Sequence, residues 1–476
     1  MRGLVSTIAM IAALSLAPAA RAQTDDTGCN PVPGLEAALN SPARVLWFGE
    51  VHGTTETPAL FGDIVCAVAA HDNRPVVVAL ERTPQETEQW LAFLRADAPE
   101  PLTGFLLTGA QWRQRIQDGR NSEAMLALAL RLRDMVRTGD VADVALIDDV
   151  KTSETRDADM AVAVQKAEAN HPGARVVVLT GNVHAMKAPF RGMTAAAGHL
   201  SPGEVYSVAI FTGPGTRWDG TRGAVAMDGV ERPRGMVAAS ENVLPPPLVG
   251  GYDAVVFTGT ATTASAPADQ AALDVTAPVH NAYATIEDIQ ARMPPATSDR
   301  DRLERLYDLD QTGRGAFNII NIAGIPADQR LAAWQMAADD MDAHDLADQQ
   351  ALKAMMPRSG WFKRSVYGDK AAAGAFFVAQ HAHKDPVLMR EVLKRITPLV
   401  GTGEIDDADY ARMYDRVALT FEHKLQRYGT QVTCAGGGWH LEPLEDPDHV
   451  DERRRAVGLM QTEAEYVKGV EGRSCG

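Results

Sequence analysis

The sequence predicts an α/β fold, a largely parallel sheet covered by helices on both faces, joined to a second, mostly α-helical C-terminal domain. Three observations predict it. Runs rich in Val, Ile, Leu and Phe recur at 45–49, 75–80, 143–148, 175–180, 205–211 and 253–258. Near-continuous apolar strands of this kind are buried on both faces, as in parallel sheets. Amphipathic stretches at 56–70, 84–96, 121–138, 154–171 and 184–197 lie between most of them, where helical crossovers belong. From about residue 284 the apolar spacing is helical almost throughout, for example over 286–293, 303–309, 331–341, 371–381 and 387–396.

In chain order, Arg2, the apolar run Leu4 to Leu16 and the small-x-small site Ala20-Arg-Ala22 read as a signal peptide over 1–22. The apolar run is shorter than the roughly 20 residues that span a bilayer, so cleavage is expected and not anchoring. The expected location is therefore periplasmic or secreted. Export makes the four cysteines candidates for disulfides. Pairing Cys29 with Cys66 and Cys434 with Cys475 is the most local of three connectivities. Zinc is disfavoured because no Cys-x-x-Cys pair occurs.

The α/β domain occupies 30–260. Within it, residues 212–250 carry Gly213-Pro-Gly215 and Pro245-Pro-Pro247 with little periodicity, and read as a long excursion at the domain edge, over the site. Residues 261–283, rich in Thr, Ala, Ser and Pro, read as a linker before the helical domain at 284–476. With 476 residues and a net charge of −16, the chain suits two or three domains and is a poor partner for nucleic acid or anionic lipid.

The chemistry is predicted at strand ends. Val45-Leu-Trp-Phe-Gly-Glu-Val-His-Gly-Thr-Thr-Glu56 presents Glu50 and His52 beyond a strand; the next strand ends on Glu81; Arg175-Val-Val-Val-Leu-Thr-Gly-Asn-Val-His-Ala185 ends on Asn182 and His184. Open α/β sheets bind ligands outside the carboxyl ends of their parallel strands. A histidine beside carboxylates suits water activation, and two carboxylates with two histidines also suit a divalent metal. Backbone N–H groups at a helix N-terminus after Gly181-Asn182 would hold an oxyanion. Each residue also has a structural reading. Glu56 serves the first turn of a helix; Glu81 and Arg82 form a surface ion pair; His184 caps a helix; Arg156, beside Asp157 and Asp159, is an ordinary helix-surface partner.

Gly49-Glu-Val-His-Gly-Thr-Thr-Glu56, Arg156-Asp-Ala-Asp-Met160 and Gly181-Asn-Val-His-Ala185, in that order over about 40–260, resemble the motifs of the superfamily that joins erythromycin esterases, ChaN-type haem-binding lipoproteins and Tiki-type metalloproteases. The resemblance implies His52 as the base that activates water, Glu50 and Glu81 as orienting or ligand carboxylates, and His184 and Arg156 as further site residues. One residue, not two, separates the glutamate from the histidine, which is closer to the ChaN branch.

In the helical domain, Asp308-Leu-Asp-Gln-Thr-Gly-Arg314, Gln380-His-Ala-His383, Asp415-Arg-Val417 and Tyr428-Gly-Thr-Gln431 together are similar to a bacterial domain family with no assigned activity, over about 284–434. His381 and His383 lie about 200° apart around a helix, a poor chelating pair. They are expected to bond separately to groups such as Asp310 or Asp415; a second metal or ligand site is the alternative.

The expected function is an exported hydrolase of an ester, lactone or amide bond in a small molecule or peptide. Water would be activated by His52, or by a divalent metal held by Glu50, His52, Glu81 and His184, with Asn182 or Arg156 facing the oxyanion. The first alternative is a haem- or iron-binding protein of the ChaN type. The second is a degenerate scaffold whose helical domain binds a protein partner; the sequence names no such partner.

Overall fold

The structure is a computed structural model that describes residues 29–471 apart from 72, 97–99, 151, 241, 245–247, 249 and 436–437. The signal peptide at 1–22 and Cys475 of the predicted 434–475 pair lie outside the described residues. The chain forms two compact units. One comprises the residues up to Pro84 with Asp118–Ser265; the other comprises Gln85–Gln117 with the residues from Ala266 onward.

The first unit is built on a seven-stranded sheet in the order β3-β2-β4-β1-β5-β9-β8. Its strands are β1 (Val45–Glu50), β2 (Val76–Leu80), β3 (Asp143–Leu146), β4 (Arg175–Gly181), β5 (Val205–Phe211), β8 (Gly235–Ala238) and β9 (Ala254–Phe257). All pairings are parallel except β8 with β9, which closes one edge antiparallel. The apolar runs are explained by burial on both faces. Every residue of β1 and of β2 is buried. On one face Trp47, Val77 and Val178 share a core with Met160 and Val164 of α3 (Arg156–Asn170). On the other face Phe48 packs edge-on against Phe61 of α1 (Glu56–His71), with ring centroids 6.0 Å apart. Helix α2 (Glu123–Thr138) starts on Ser122, whose hydroxyl accepts the Met125 N–H, and stops at Gly139 in the left-handed conformation.

The expected bridge between Cys29 and Cys66 is formed, tying the segment before β1 to α1. Among the described residues no helix is long and apolar enough to cross a membrane. The irregular stretch at 212–250 holds a hairpin, β6 (Gly215–Asp219) with β7 (Gly223–Met227), and then the edge strand β8. The amphipathic run at 184–197 does not form a helix. Residues 182–185 make turns and only Ala196–His199 form a short 3₁₀ turn. Pro189 and Gly192 interrupt the run, and Gly192 adopts φ +81°.

The second unit is helical. Its main helices are α4 (Gln270–Arg292), α5 (Asp299–Phe317), α6 (Ala327–Met355), α7 (Asp369–Gln380), α8 (Pro386–Ile396) and α9 (Asp407–Glu422). A two-stranded ribbon follows, β10 (Val432–Ala435) with β11 (Gly438–Leu441). Two sequence boundaries differ from this arrangement. The stretch read as a linker at 261–283 is helical from Gln270 onward, because its Ala-rich composition supports a helix that tolerates Pro278. The amphipathic run after Glu81 belongs to the helical unit. There Glu86 accepts the N–H groups of Gln111 and Trp112, and Arg113 and Arg115 pair with Asp339 and Asp340 of α6.

Candidate active site

Four adjacent strands, β3, β2, β4 and β1, deliver polar groups at their carboxyl ends. Glu50 is the last residue of β1 and is 4% exposed. His52, two residues on, places Nδ1 3.0 Å from Glu50 Oε1 and Nε2 3.6 Å from Glu81 Oε2. Glu81 follows β2 directly, and its Oε2 accepts the Gly181 N–H at the end of β4 at 2.5 Å. His184 puts Nδ1 2.7 Å from Asp157 Oδ1 and Nε2 3.9 Å from Glu81 Oε1. Two histidines, each with a carboxylate on Nδ1, thus face one central glutamate. Glu50, His52, Glu81 and His184 converge on one place, as expected.

Arg156 joins the same cluster. Its Nη2 donates to Glu81 Oε1 and to Asp148 Oδ2, both at 2.7 Å, and its Nε donates to Asp148 Oδ1 at 2.8 Å. It is drawn into the cluster around Glu81 and does not act as an ordinary helix-surface partner. Glu81 is likewise buried, at 6% exposure, and Arg82 turns away to the Arg120 carbonyl and the Asn121 side chain. Asn182 contributes through its backbone. Its N–H donates to the Glu50 carbonyl, and its own carbonyl accepts the Tyr252 hydroxyl. The expected helix N-terminus behind it is absent, because the His184 N–H is spent on the Gly181 carbonyl within a turn. No backbone oxyanion hole arises there.

Three participants escaped the sequence reading. Arg120 Nη1 donates to Glu81 Oε1 at 2.9 Å and to Asp148 Oδ2 at 3.3 Å. Asp118 pairs with Arg120 at 2.9 Å. Asp148 gave the signal used for Glu81, a carboxylate just past a strand, but the apolar run at 143–148 absorbed it into the strand; β3 ends at Leu146.

Close backbone approach makes the cluster compact. Gly53, at φ +90°, leaves no room for a side chain, since a Cβ would lie 2.5 Å from the Trp218 carbonyl oxygen. The Trp218 N–H donates to the Gly53 carbonyl at 2.8 Å, so the β6–β7 hairpin packs beside the turn that carries His52. Gly49 lets the turn after β4 approach β1, because a Cβ there would lie 2.7 Å from both Asn182 Cα and Ala185 Cβ.

The electrostatics follow from this geometry. Burial alone would lower the His52 pKa, but Glu81 and Glu50 override it and push it up to about 9. His52 is an imidazolium at neutral pH. Burial raises Glu50, and the His52 hydrogen bond only partly opposes this. For Glu81, burial is overcome by His52, Arg120 and His184, which hold it below the usual carboxylate range. Asp157 is held down in the same way, by His184 against burial.

The donor set does not suit a single divalent ion in this arrangement. Oxygens of Glu81 are engaged by Arg120, Arg156 and the Gly181 N–H, and two guanidinium groups would repel a dication. Among the described residues, the groups with ligand atoms within 4.8 Å of one another are Asp310, Asp345 and His381, and Asp342, Asp345 and His383; both lie in the helical unit.

Comparison with known proteins adds the following. Residues 312–474 match a family of unknown function, DUF6624, which reaches further toward the C-terminus than the 284–434 expected from sequence. No curated protein matches the chain. Similar solved structures include an erythromycin esterase, EreC, in its open conformation, at 12% identity and a TM-score of 0.30, covering 48% of this chain and 93% of that one. The type III effector HopBA1 aligns at 12% identity and a TM-score of 0.28, over 46% of this chain and 88% of its own. A Bacillus cereus protein aligns at 11% identity and a TM-score of 0.32, over 49% and 92%. The family match, over residues 312–474, carries no assigned activity.

Proposed function

We propose that the α/β unit is a hydrolase acting on an ester, lactone or amide carbonyl of a small molecule or peptide, with His52 and Glu50 as its acid–base pair. One observation carries this reading. The His52 ring is one-fifth exposed between two buried carboxylates, with Nδ1 fixed by Glu50 and Nε2 left 3.6 Å from Glu81. That distance exceeds a direct hydrogen bond and leaves Nε2 free to take a proton from water.

In this scheme Glu50 orients the ring and stabilises its charged form. The fraction of His52 that is neutral at pH 7, on the order of 1% for a group with this pKa, accepts the proton of the attacking water at Nε2. The oxygen of that water bonds to the carbonyl carbon while the carbonyl π pair moves onto oxygen. Arg156 and Arg120, already converging on Glu81, supply positive field for the oxyanion. Protonated His52 then returns its proton to the leaving oxygen or nitrogen as that bond breaks. His184, paired with Asp157, holds Glu81 from the other side. Neither proton transfer needs a metal, whose charge the Arg120 and Arg156 guanidinium groups would oppose. The haem alternative has less support, because both His52 ring nitrogens face carboxylates.

We also propose export, supported by the apolar run at 4–16, the Ala20–Ala22 site and the Cys29–Cys66 bridge, which suits an oxidising compartment.

The test is a panel of aryl esters, lactones and peptide amides, assayed with and without chelator. Wild-type protein is expected to hydrolyse at least one class, with a loss of about 100-fold or more in His52→Ala. Equal activity in wild type and His52→Ala would overturn the assignment.

A further inference from the structure

The helical unit holds polar motifs that the α/β chemistry leaves unused, and the structure gathers them. His381 Nδ1 lies 2.7 Å from Asp310 Oδ1. Arg314 bridges Asp310 at 3.0 Å and Asp345 at 2.6 Å. A guanidinium is already seated between these carboxylates, where a cation would otherwise go. Asp415, expected as a histidine partner, instead accepts the N–H groups of Arg427, Tyr428 and Thr430 and shapes the Tyr428–Gln431 turn.

Beside that turn Arg416 is in a different situation. Its Nε donates to Gln431 Oε1 at 3.3 Å and its Nη1 to the Gln380 carbonyl at 2.8 Å. Both partners are neutral, and among the described residues no carboxylate lies within ion-pair distance of it. Its guanidinium is pushed below the ordinary arginine value by burial, and further by the charge of Arg314. Arg416 is half-buried, and a partly desolvated guanidinium without a counter-charge gains by acquiring one.

Arg416 lines a cavity of about 400 Å³ together with Gln380, Arg412, Thr430, Gln431 and Arg454. Arg454 is 2% exposed and its hydrogen bonds go to the carbonyls of Gln461, Tyr428 and Gly429. The Gln380 side chain is 4% exposed, and among the described residues its Oε1 has no partner. The volume is that of a small-molecule site. Of the three arginines that line it, Arg412 is paired with Asp409 and Arg454 is spent on backbone carbonyls, which leaves Arg416 as the one with no charged partner among the described residues.

We propose that this cavity binds a small anion, a carboxylate or phosphate group, on Arg416, whose only partners among the described residues are neutral oxygens of Gln431 and Gln380. Guanidinium groups match the planar or tetrahedral oxygens of such anions. The missing counter-charge of Arg416 is then supplied by the ligand.

The experiment titrates the full chain with inorganic phosphate and, separately, with succinate, by calorimetry and by thermal unfolding. At least one anion is expected to bind at a single site and to raise the Tm. Gln431→Glu places a carboxylate beside Arg416, so this variant is expected to fold, with an unfolding temperature no lower than wild type, and to bind at least tenfold more weakly. Arg416→Gln is expected to lose binding as well, whereas His52→Ala, in the other unit, retains it. Saturable phosphate binding without succinate binding identifies a phosphate site, and the reverse identifies a carboxylate site. Failure of both anions to bind at millimolar concentration, or binding unchanged in Gln431→Glu, overturns the proposal.

Discussion

The Nδ1 of His52 lies 3.0 Å from Oε1 of Glu50, with a single residue between them. Because the chain leaves β1 at Glu50, the next side chains are freed from strand alternation, and a carboxylate and an imidazole two apart can meet. With Glu81 on the far side, the imidazole is held charged, at a pKa of about 9. The folded value is above the unfolded one near 6.5. The stabilisation is therefore fully present below about pH 6.5 and is lost as pH rises through about 9, on the order of 3 kcal/mol. Denaturant unfolding between pH 6 and 10 is expected to show this decline in wild type and not in His52→Gln. Hydrolysis that uses neutral His52 is expected to accelerate from pH 7 toward 9 and then level off. An imidazole titrating near 6.5 by NMR would contradict both expectations.

Glu81 receives Arg120, Arg156 and the Gly181 N–H while facing both histidines. Glu81→Gln keeps the shape and an acceptor for Gly181 but leaves the cations short of one charge. Removing one partner of a buried charge network costs about 3 kcal/mol or more. Glu81 is also the leading influence that raises His52, so the His52 titration is expected to move down in this variant. Thermal unfolding and the histidine titration measure the two effects separately, and an unchanged His52 pKa would remove Glu81 from the electrostatic account.

Much of this site is legible in the sequence, because a parallel strand buried on both faces writes itself as an uninterrupted apolar run. Whatever polar residue ends the run stands out, as Glu50, Glu81 and Gly181-Asn182 did. Asp148 is hidden because β3 is short and its apolar run continues one residue, Ile147, past the pairing. Arg120 and Asp118 sit in a loop without periodicity, so only tertiary structure brings them to Glu81. The helix expected over 184–197 failed for a local reason: its apolar residues pack into the core from turns, as Ala185, Met186 and Ala195 to Ala197 do. Apolar spacing alone does not separate a helix from a buried irregular segment. The placement of Gln85–Gln117 in the helical unit depends on long-range pairs such as Arg115 with Asp340, which no local pattern reports.

Gly53 offers a way to separate backbone conformation from close packing in this site. It sits at φ +90°, and an added Cβ would lie 2.5 Å from the Trp218 carbonyl oxygen. From the other side, a Cβ on Gly119 would lie 2.2 Å from Gly53 itself, so this turn is pinched between two backbones. Gly139, which ends α2, has nearly the same φ, +86°, but nothing within 4 Å of its Cβ position. Gly139→Ala is thus expected to cost about 1 kcal/mol, the strain of a left-handed residue alone. Gly53→Ala must in addition push the hairpin or the His52 turn aside, and is expected to cost at least about 2 kcal/mol more, in the range of overpacked cores. Chemical denaturation of the two variants measures the difference. Because the displaced turn carries His52, hydrolysis is expected to fall in Gly53→Ala and to stay at the wild-type level in Gly139→Ala. Equal stability and equal activity in the two variants would mean that the hairpin does not hold His52 against its carboxylates.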